Sequence, residues 1–382
     1  MKLFSLILIF AANIAVAQLS VSSFNAGLAH TFVPLAKERL PKIITEMKKS
    51  TADVVCLQEV WTQDDMDAIS NGLKELYPYS FQAPITQTKT KQAPSCGIGD
   101  LFGGDKGNKK FVSCVISFCI GQSGDSQTDC ILDRCGVALK KLKNTNLECA
   151  QAMMAQVGNS AVTTVLQVIN PFSPAGIFTY KGSFGLMILS KKPLANSQLI
   201  DMSTISTLTR RGALVVTVKE RDKNIDLLCT HLTADLDSTA PYAGQLSGWR
   251  EENEKQVVYL LGRMKDRNDS QILMGDFNCS FADPKNSING EFESHCQRFI
   301  DMGYQDPISK NIRKCTFCSS NSVVDRGHDN TVLDVLLDHL FVRKLTVKSS
   351  RRSYENLVEI LVEGKPEQSN LSDHYGVDAT VE

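Results

Sequence analysis

The sequence predicts an α/β fold, a sheet covered by helices, and two observations carry that expectation. Apolar runs of strand length alternate with apolar stripes at helical spacing: Asp53-Val54-Val55-Cys56-Leu57-Gln58-Glu59 is followed by Met66, Ile69, Leu73 and Leu76. The runs also end alike. Gln271-Ile272-Leu273-Met274-Gly275-Asp276-Phe277-Asn278 reads as a buried strand broken by a glycine, with a carboxylate and an amide at its end. Burying such groups unpaired costs several kcal/mol, so a phosphate or metal site explains them better than core packing does.

In chain order, Lys2 precedes the apolar run Leu3-Phe4-Ser5-Leu6-Ile7-Leu8-Ile9-Phe10, and Ala15-Val16-Ala17 forms an A-x-A pattern. The run is short for a bilayer span and reads as a secretory signal, residues 1–17, leaving 18–382 as a soluble, exported domain. Val21-Ser22-Ser23-Phe24-Asn25 is an opening strand that ends in an amide. Leu40, Ile43, Ile44 and Met47 then mark an amphipathic helix ahead of the Asp53 strand.

From 84 to 177 the pattern changes. A Gly-rich stretch, 97–107, lacks the Gly-Lys-Ser/Thr of a phosphate loop and reads as flexible. Cys96, Cys114, Cys119, Cys130, Cys135 and Cys149 crowd this Cys-rich insertion, and an oxidising compartment favours disulfides among them. Leu147, Ala150, Met154 and Val157 suggest a helix. The run Phe111 to Phe118 suits burial against that helix better than contact with lipid. Strands return at Gly185–Ser190, at Gly212–Val218 and Asp226–His231 (a hairpin), at Gln271–Asp276, at Leu336–Val342 and at Tyr375–Ala379, with a helix through Val257, Leu260, Leu261 and Met264.

Cys56 and Cys229 lie inside apolar runs and read as buried free thiols. Cys315 and Cys318, with Cys296 and His328 nearby, allow a zinc site, though disulfides suit an exported chain better. The net charge of −1 gives no overall bias toward nucleic acid. The pairs Lys191-Lys192, Arg210-Arg211 and Arg351-Arg352 read as solvated turn residues rather than a phosphate track.

The polar residues that close the strands are Asn25, Glu59, His231, Asp276, Asn278, Asp338, Asp373 and His374. Singly, each has a bland reading as a cap, a solvated charge or a satisfied core histidine. Together they supply what metal-assisted phosphate-ester hydrolysis needs: hard-cation carboxylates, a water-positioning carboxylate and amide, and two histidines.

The ordered set Ser23-Phe24-Asn25, Leu57-Gln58-Glu59, Thr230-His231-Leu232-Thr233-Ala234, Gly275-Asp276-Phe277-Asn278 and Ser372-Asp373-His374 resembles the endonuclease/exonuclease/phosphatase superfamily over nearly all the chain outside the insertion. Within it, the greatest likeness is to neutral sphingomyelinases, carried by Phe184–Ser190 before a basic-Pro turn and by Thr230-His231-Leu232 followed by Gly244-Gln245-Leu246 and Trp249. The resemblance implies a four-layer α/β sandwich of two packed mixed β-sheets flanked by helices. It implies a secreted Mg²⁺-dependent phosphodiesterase, cleaving sphingomyelin at a phospholipid membrane surface to ceramide and phosphocholine. A secreted deoxyribonuclease-like endonuclease, with nucleic acid as partner, is the alternative. A binding protein on a decayed enzyme fold is disfavoured by the intact polar set.

The same resemblance assigns roles. Glu59 is the principal Mg²⁺ ligand, Asn25 lies beside it, and Asp373 is a candidate for a second metal. Asp276 and Asn278 position the attacking water and hold the phosphate. His374 is the general base oriented by Asp338, and His231 donates to a phosphoryl or leaving-group oxygen. Asn268, Asn278 and Asn370 each open a glycosylation sequon, and a glycan on Asn278 would obstruct this site.

Overall fold

The computed structural model describes residues 18–30, 32–105, 108–121, 130–156, 159, 161–237, 239–268, 270–327 and 332–382. The expected signal segment, Val157 and His328 lie outside the described residues.

Strands with both faces buried read as unbroken apolar runs, and their alternation sorts side chains to two layers. In β2 (Val54–Gln58), Val54 and Cys56 enter one core, whereas Val55 and Leu57 enter another. In β8 (Gln271–Asp276), Ile272 and Met274 point one way and Leu273 the other. The shared core lies between two sheets.

One sheet has six strands: β1 (Leu19–Asn25), β2, β3 (Tyr79–Gln82), β4 (Met187–Ser190), β10 (Val347–Ser353) and β13 (Gly376–Val381), in the order β10-β13-β1-β2-β4-β3. The other has five: β5 (Ala195–Asp201), β6 (Gly212–Glu220), β7 (Lys223–His231), β8 and β9 (Asp338–Arg343), in sequence order. The predicted hairpin is the antiparallel β6–β7 pair. Outside the first sheet, helices Ala36–Met47 and Gln63–Leu73 bury Ile43, Met47, Ile69 and Leu73. Outside the second, helices Trp249–Met264 and Glu293–Asp301 bury Val257, Leu260 and Phe299. This is the expected four-layer sandwich. Among the described residues no helix is long and apolar enough to cross a membrane.

Each sheet contains one parallel pair, β1 with β2 and β7 with β8, bridged by the 36–47 and 249–264 helices respectively. Parallel neighbours end at one edge, so Asn25, Glu59, His231 and Asp276 share an edge of the sandwich. Strands β3, β5, β10 and β12 (Lys365–Ser369), the last paired with β11 (Val358–Val362) in a separate hairpin, carry too many exposed polar residues to announce themselves in the sequence.

Cys56 and Cys229 are not free thiols. They face each other from the inner sides of the two sheets and form a disulfide across the core, 173 residues apart in sequence. In the loop-entropy account, closing so long a loop penalises the unfolded chain by about 5 kcal/mol. The zinc reading fails as well: Cys315 pairs with Cys318, and Cys296 pairs with Cys279.

The chain between β3 and β4 forms the Cys-rich insertion. Its disulfides, Cys96–Cys149, Cys114–Cys135 and Cys119–Cys130, are nested and wholly internal. Helices Phe111–Phe118, Gly136–Thr145, Leu147–Met154 and Ala161–Val168 surround a separate core that includes Leu101, Leu139, Leu142, Met153 and Val168. The Gly-rich stretch holds a short helix, Ile98–Leu101. Phe111, Val112, Cys114 and Val115 are buried as expected, but Ile116 and Phe118 face solvent.

Behind β9, His339 Nδ1 pairs with Asp306 at 2.9 Å and Nε2 donates to the Cys279 carbonyl at 2.9 Å, both residues buried. Burial opposes the charge on each, yet the Asp306 carboxylate raises the His339 pKa and the imidazolium lowers that of Asp306. The pair's contribution is therefore complete between the ordinary carboxylate and imidazole ranges. It is lost on acidification through the Asp306 pKa and on alkalinisation through the raised His339 pKa. Asp306→Asn, which keeps the acceptor for the 307–311 helix, is expected to lower unfolding free energy by about 3–5 kcal/mol at mildly acidic pH and by less at alkaline pH. A pH-independent loss in denaturant titrations would count against the pair.

Candidate active site

Two local features aim the site residues. β8 approaches β7 so closely that a Cβ on Gly275 would lie 2.1 Å from the Thr230 carbonyl oxygen, which explains the glycine and sets Asp276 level with His231. Glu59 and Asn278 adopt left-handed backbone conformations, φ 57° and 48°, just past β2 and β8. Such conformations cost about 1 kcal/mol or more for residues other than glycine and collect at functional sites. They are held here by hydrogen bonds from Leu28 N to Glu59 O (3.2 Å), Val60 N to Gly185 O (3.1 Å), Asn278 N to Asp276 Oδ1 (2.9 Å) and Asn278 Nδ2 to Leu232 O (2.9 Å).

All eight candidate residues come to this edge. Asn25 Nδ2 donates to Glu59 Oε1 (3.3 Å) and Asp276 Oδ2 (3.0 Å), while its Oδ1 accepts from Gly27 N at 3.0 Å. Asn25 thus aligns the two carboxylates. His231 Nε2 stands 3.5 Å from Asp276 Oδ2 and 4.0 Å from Glu59 Oε1. From the opposite side, His374 Nε2 lies 3.8 Å from Asp276 Oδ2, and His374 Nδ1 bonds Asp338 Oδ2 at 2.8 Å. Asp373 Oδ1 accepts from Ser372 Oγ and sits where a Cβ on Gly27 would be 2.3 Å away, so the 25–27 and 372–374 loops interlock. Buried Arg39 ties them further, donating to the carbonyls of Ala26, Gly27 and Leu371. Thr316 Oγ1 accepts from the backbone N–H groups of Leu337 and Asp338 and so fixes Asp338.

The electrostatics divide the two histidines. Burial works against charge on His374, but Asp338, Asp276 and Asp373 outweigh it and hold its pKa well above the ordinary imidazole value. Burial, together with Arg211 and His374, holds His231 well below it. His374 is therefore the more basic of the two and can accept a proton only above its raised pKa, whereas His231 stays neutral. Burial raises Asp276 to about 7, reinforced by Asp338, and burial with Asp373 raises Glu59. Two carboxylates so placed favour a cation between them.

The donor set fits a hard divalent cation. Glu59, Asp276 and Asp373 carry carboxylates at this edge, although their oxygens do not all lie within 4.8 Å of one another, and none of the site's residues is a thiolate. Asp276, Asp338 and His374 also offer ligand atoms within 4.8 Å of one another, although Asp338 Oδ2 and His374 Nδ1 are engaged together.

Arg211 escaped the sequence reading, as did its neighbour. Far from being solvated, Arg210 and Arg211 are both buried. Arg210 bonds Asp201, Ser203 and Thr86 and supports the structure. The guanidinium of Arg211 lies 5.8 Å from the Trp61 ring centroid, feels the charges of Glu59 and Asp276, and has Nε and Nη1 without hydrogen-bond partners. A tandem Arg-Arg before a strand carries no signal that one member turns inward. Aromatic residues were missed too: Trp61 stacks on Tyr180 at 4.9 Å and lies 6.2 Å from His231, with Phe32 edge-on to Tyr180. Behind His231, Glu252 accepts from Thr207 N, Thr233 Oγ1 and Tyr242 OH and so holds the 231–233 segment.

Of the three sequon asparagines, Asn278 and Asn370 are buried with their amides engaged, whereas Asn268 is exposed, its Nδ2 donating to Asp226 Oδ1 at 3.0 Å.

Residues 22–374 match the model of the Endonuclease/Exonuclease/phosphatase family. The chain belongs to this family. It is therefore a phosphoric ester hydrolase of a divalent-metal-dependent class. Among solved structures it is similar to SmcL (14% identity, 96% of this chain and 99% of the other, TM-score 0.55). It is also similar to sphingomyelinase C from Streptomyces griseocarneus (15%, 95% and 99%, 0.52) and to a mutant of the beta toxin from Staphylococcus aureus with bound magnesium ions (14%, 95% and 99%, 0.54). At these identities the likeness concerns the fold. No curated protein matches the chain.

Proposed function

We propose that this family member is an exported, Mg²⁺-dependent sphingomyelin phosphodiesterase that releases phosphocholine and leaves ceramide. The observation that carries the reading is the pair Tyr180 and Phe32, backed by buried Trp61 beside His231, together with the Arg211 guanidinium, whose Nε and Nη1 have no hydrogen-bond partner. A phosphate next to aromatic faces matches a phosphocholine group, whose quaternary ammonium is recognised by such faces. The likeness to sphingomyelinase C is consistent with it. Six disulfides in the chain and the apolar N-terminal run with its A-x-A pattern support export.

Glu59 would hold Mg²⁺, oriented by Asn25 and assisted by Asp276, with Asp373 as the candidate for a second ion; the cation supplies charge neutralisation at a phosphoryl oxygen. His374 accepts the proton of the attacking water at Nε2, and Asp338 at Nδ1 stabilises the resulting imidazolium. Asp276 and Asn278 place that water. Neutral His231 donates from Nε2 to oxygen as negative charge builds, and Arg211 anchors the phosphate.

The test is a parallel assay on sphingomyelin vesicles and plasmid DNA, with and without Mg²⁺. Phosphocholine release is expected to exceed plasmid nicking, and chelation should abolish it. In the same assay Arg211→Met should lower kcat/KM by about 10-fold or more, the scale of a lost charged hydrogen bond. Efficient nicking without phosphocholine release overturns the substrate and favours a nuclease with the same catalytic residues.

A further inference from the structure

The insertion is attached at the catalytic edge. β4 runs antiparallel to both β2 and β3, and Met187 stands opposite Leu57 on one side and Gln82 on the other. Residues 83–186 therefore leave and rejoin the sheet where β2 delivers Glu59. Tyr180, near the end of this excursion, stacks on Trp61, and Lys143 donates to the carbonyl of Leu246 in the segment following His231.

The insertion is also the most apolar part of the surface. It spans roughly a quarter of the chain, yet half of the exposed large hydrophobic side chains among the described residues lie within it, between Ile98 and Phe172. Ile116 and Phe118 are exposed toward the C-terminal end of the 111–118 helix, which buries Phe111, Val112, Cys114 and Val115, and Ile120 follows at 74% exposure. Isolated exposed apolar residues need no explanation, but a cluster held by disulfides at Cys114 and Cys119 does.

Cations border that cluster. The Lys109 ammonium lies 5.4 Å above the Phe118 ring and bonds Ser117, Lys110 bonds the carbonyl of Gly99 next to exposed Ile98, and Lys141 bonds Asn108. Exposed apolar side chains with lysines on the same insertion match the acyl and phosphate layers of a bilayer surface.

We propose that the disulfide-stapled insertion docks this enzyme on a phospholipid surface through Ile116, Phe118 and Ile120, with Lys109 and Lys110 facing the phosphates. The proposal rests on the reading of the site as one for a lipid substrate. It would bring the bilayer to the segment that leaves and rejoins the sheet at the edge where β2 delivers Glu59.

The full chain would be mixed, in chelator, with sphingomyelin-free vesicles of phosphatidylcholine with or without phosphatidylserine, and bound protein separated by flotation. Combined Ile116→Ser, Phe118→Ser and Ile120→Ser should weaken vesicle binding by about 10-fold or more while leaving hydrolysis of a soluble phosphodiester and the thermal melt as in the parent. Combined Lys109→Glu and Lys110→Glu should weaken binding chiefly to the phosphatidylserine vesicles. Val258→Ser with Tyr259→Ser, an exposed pair on the 249–264 helix, should change nothing. Equal binding by parent and triple variant overturns the proposal, as does absence of parent binding. So does a parent that dimerises through this face without binding vesicles, since the occupant is then a second copy. The two readings fail separately: vesicle binding without phosphocholine release removes the substrate assignment and leaves docking, whereas release unaffected by the triple variant removes docking and leaves the substrate.

Discussion

Glu59→Gln is expected to lower turnover by about 10³-fold or more at saturating Mg²⁺, with little change in thermal stability. Glutamine keeps the size of the side chain and an oxygen for the Asn25 amide, so the 3.3 Å contact survives while the charge goes. Burial and the neighbouring Asp373 already raise the Glu59 pKa, so the folded chain loses no favourable charge when the carboxylate becomes an amide. What is lost is the anionic ligand for the cation, and with it neutralisation of the charge that builds on phosphate. Isothermal titration with Mg²⁺ should show weakened binding in parallel. Near-parent turnover with unchanged Mg²⁺ affinity would remove Glu59 from the metal site.

His374→Ala and Asp338→Ala should each cost on the order of 10²- to 10⁴-fold in kcat, and the double variant little more than the worse single one. The 2.8 Å bond between His374 Nδ1 and Asp338 Oδ2 makes the two a single proton-accepting unit. Without the carboxylate, burial of the imidazole is opposed by Asp276 and Asp373 alone, so the Asp338 variant should also shift the pH–rate profile of whatever activity remains. The ascending limb belongs to deprotonation of the base, and it should move to lower pH, because the carboxylate that raises the His374 pKa is gone. Multiplicative losses in the double variant, or an unmoved profile in Asp338→Asn, would separate the two residues.

The ease of reading the site has a physical cause. Asn25, Glu59, His231 and Asp276 each end a strand buried on both faces, and polar groups stand out against such runs. Asp338 opens β9 and His374 precedes β13, strands antiparallel to β8 and β1, so they reach the same edge and stand out against buried runs in the same way. Arg211 was not legible, because an arginine pair before a strand looks the same whether it meets water or a phosphate site, and only the packing of Trp61 against it decides. Trp61 and Tyr180 lie 119 residues apart, and no local pattern announces their stack.

By itself the sequence determined the alternation of strands and helices, the polar strand ends and their order, and the presence of a cysteine-rich segment foreign to that alternation. These follow from short-range rules: apolar periodicity, backbone preferences at glycine, and the cost of burying an unpaired polar group. Tertiary structure alone decided that two βαβ units face each other so that their strand ends meet, and that Cys56 and Cys229 join across the interface as a disulfide rather than remaining thiols. It also decided that the insertion rises from the catalytic edge with Ile116 and Phe118 turned outward. Each is a pairing of residues distant in the chain, set by which faces the sheets bury against one another, and no window of sequence contains both partners.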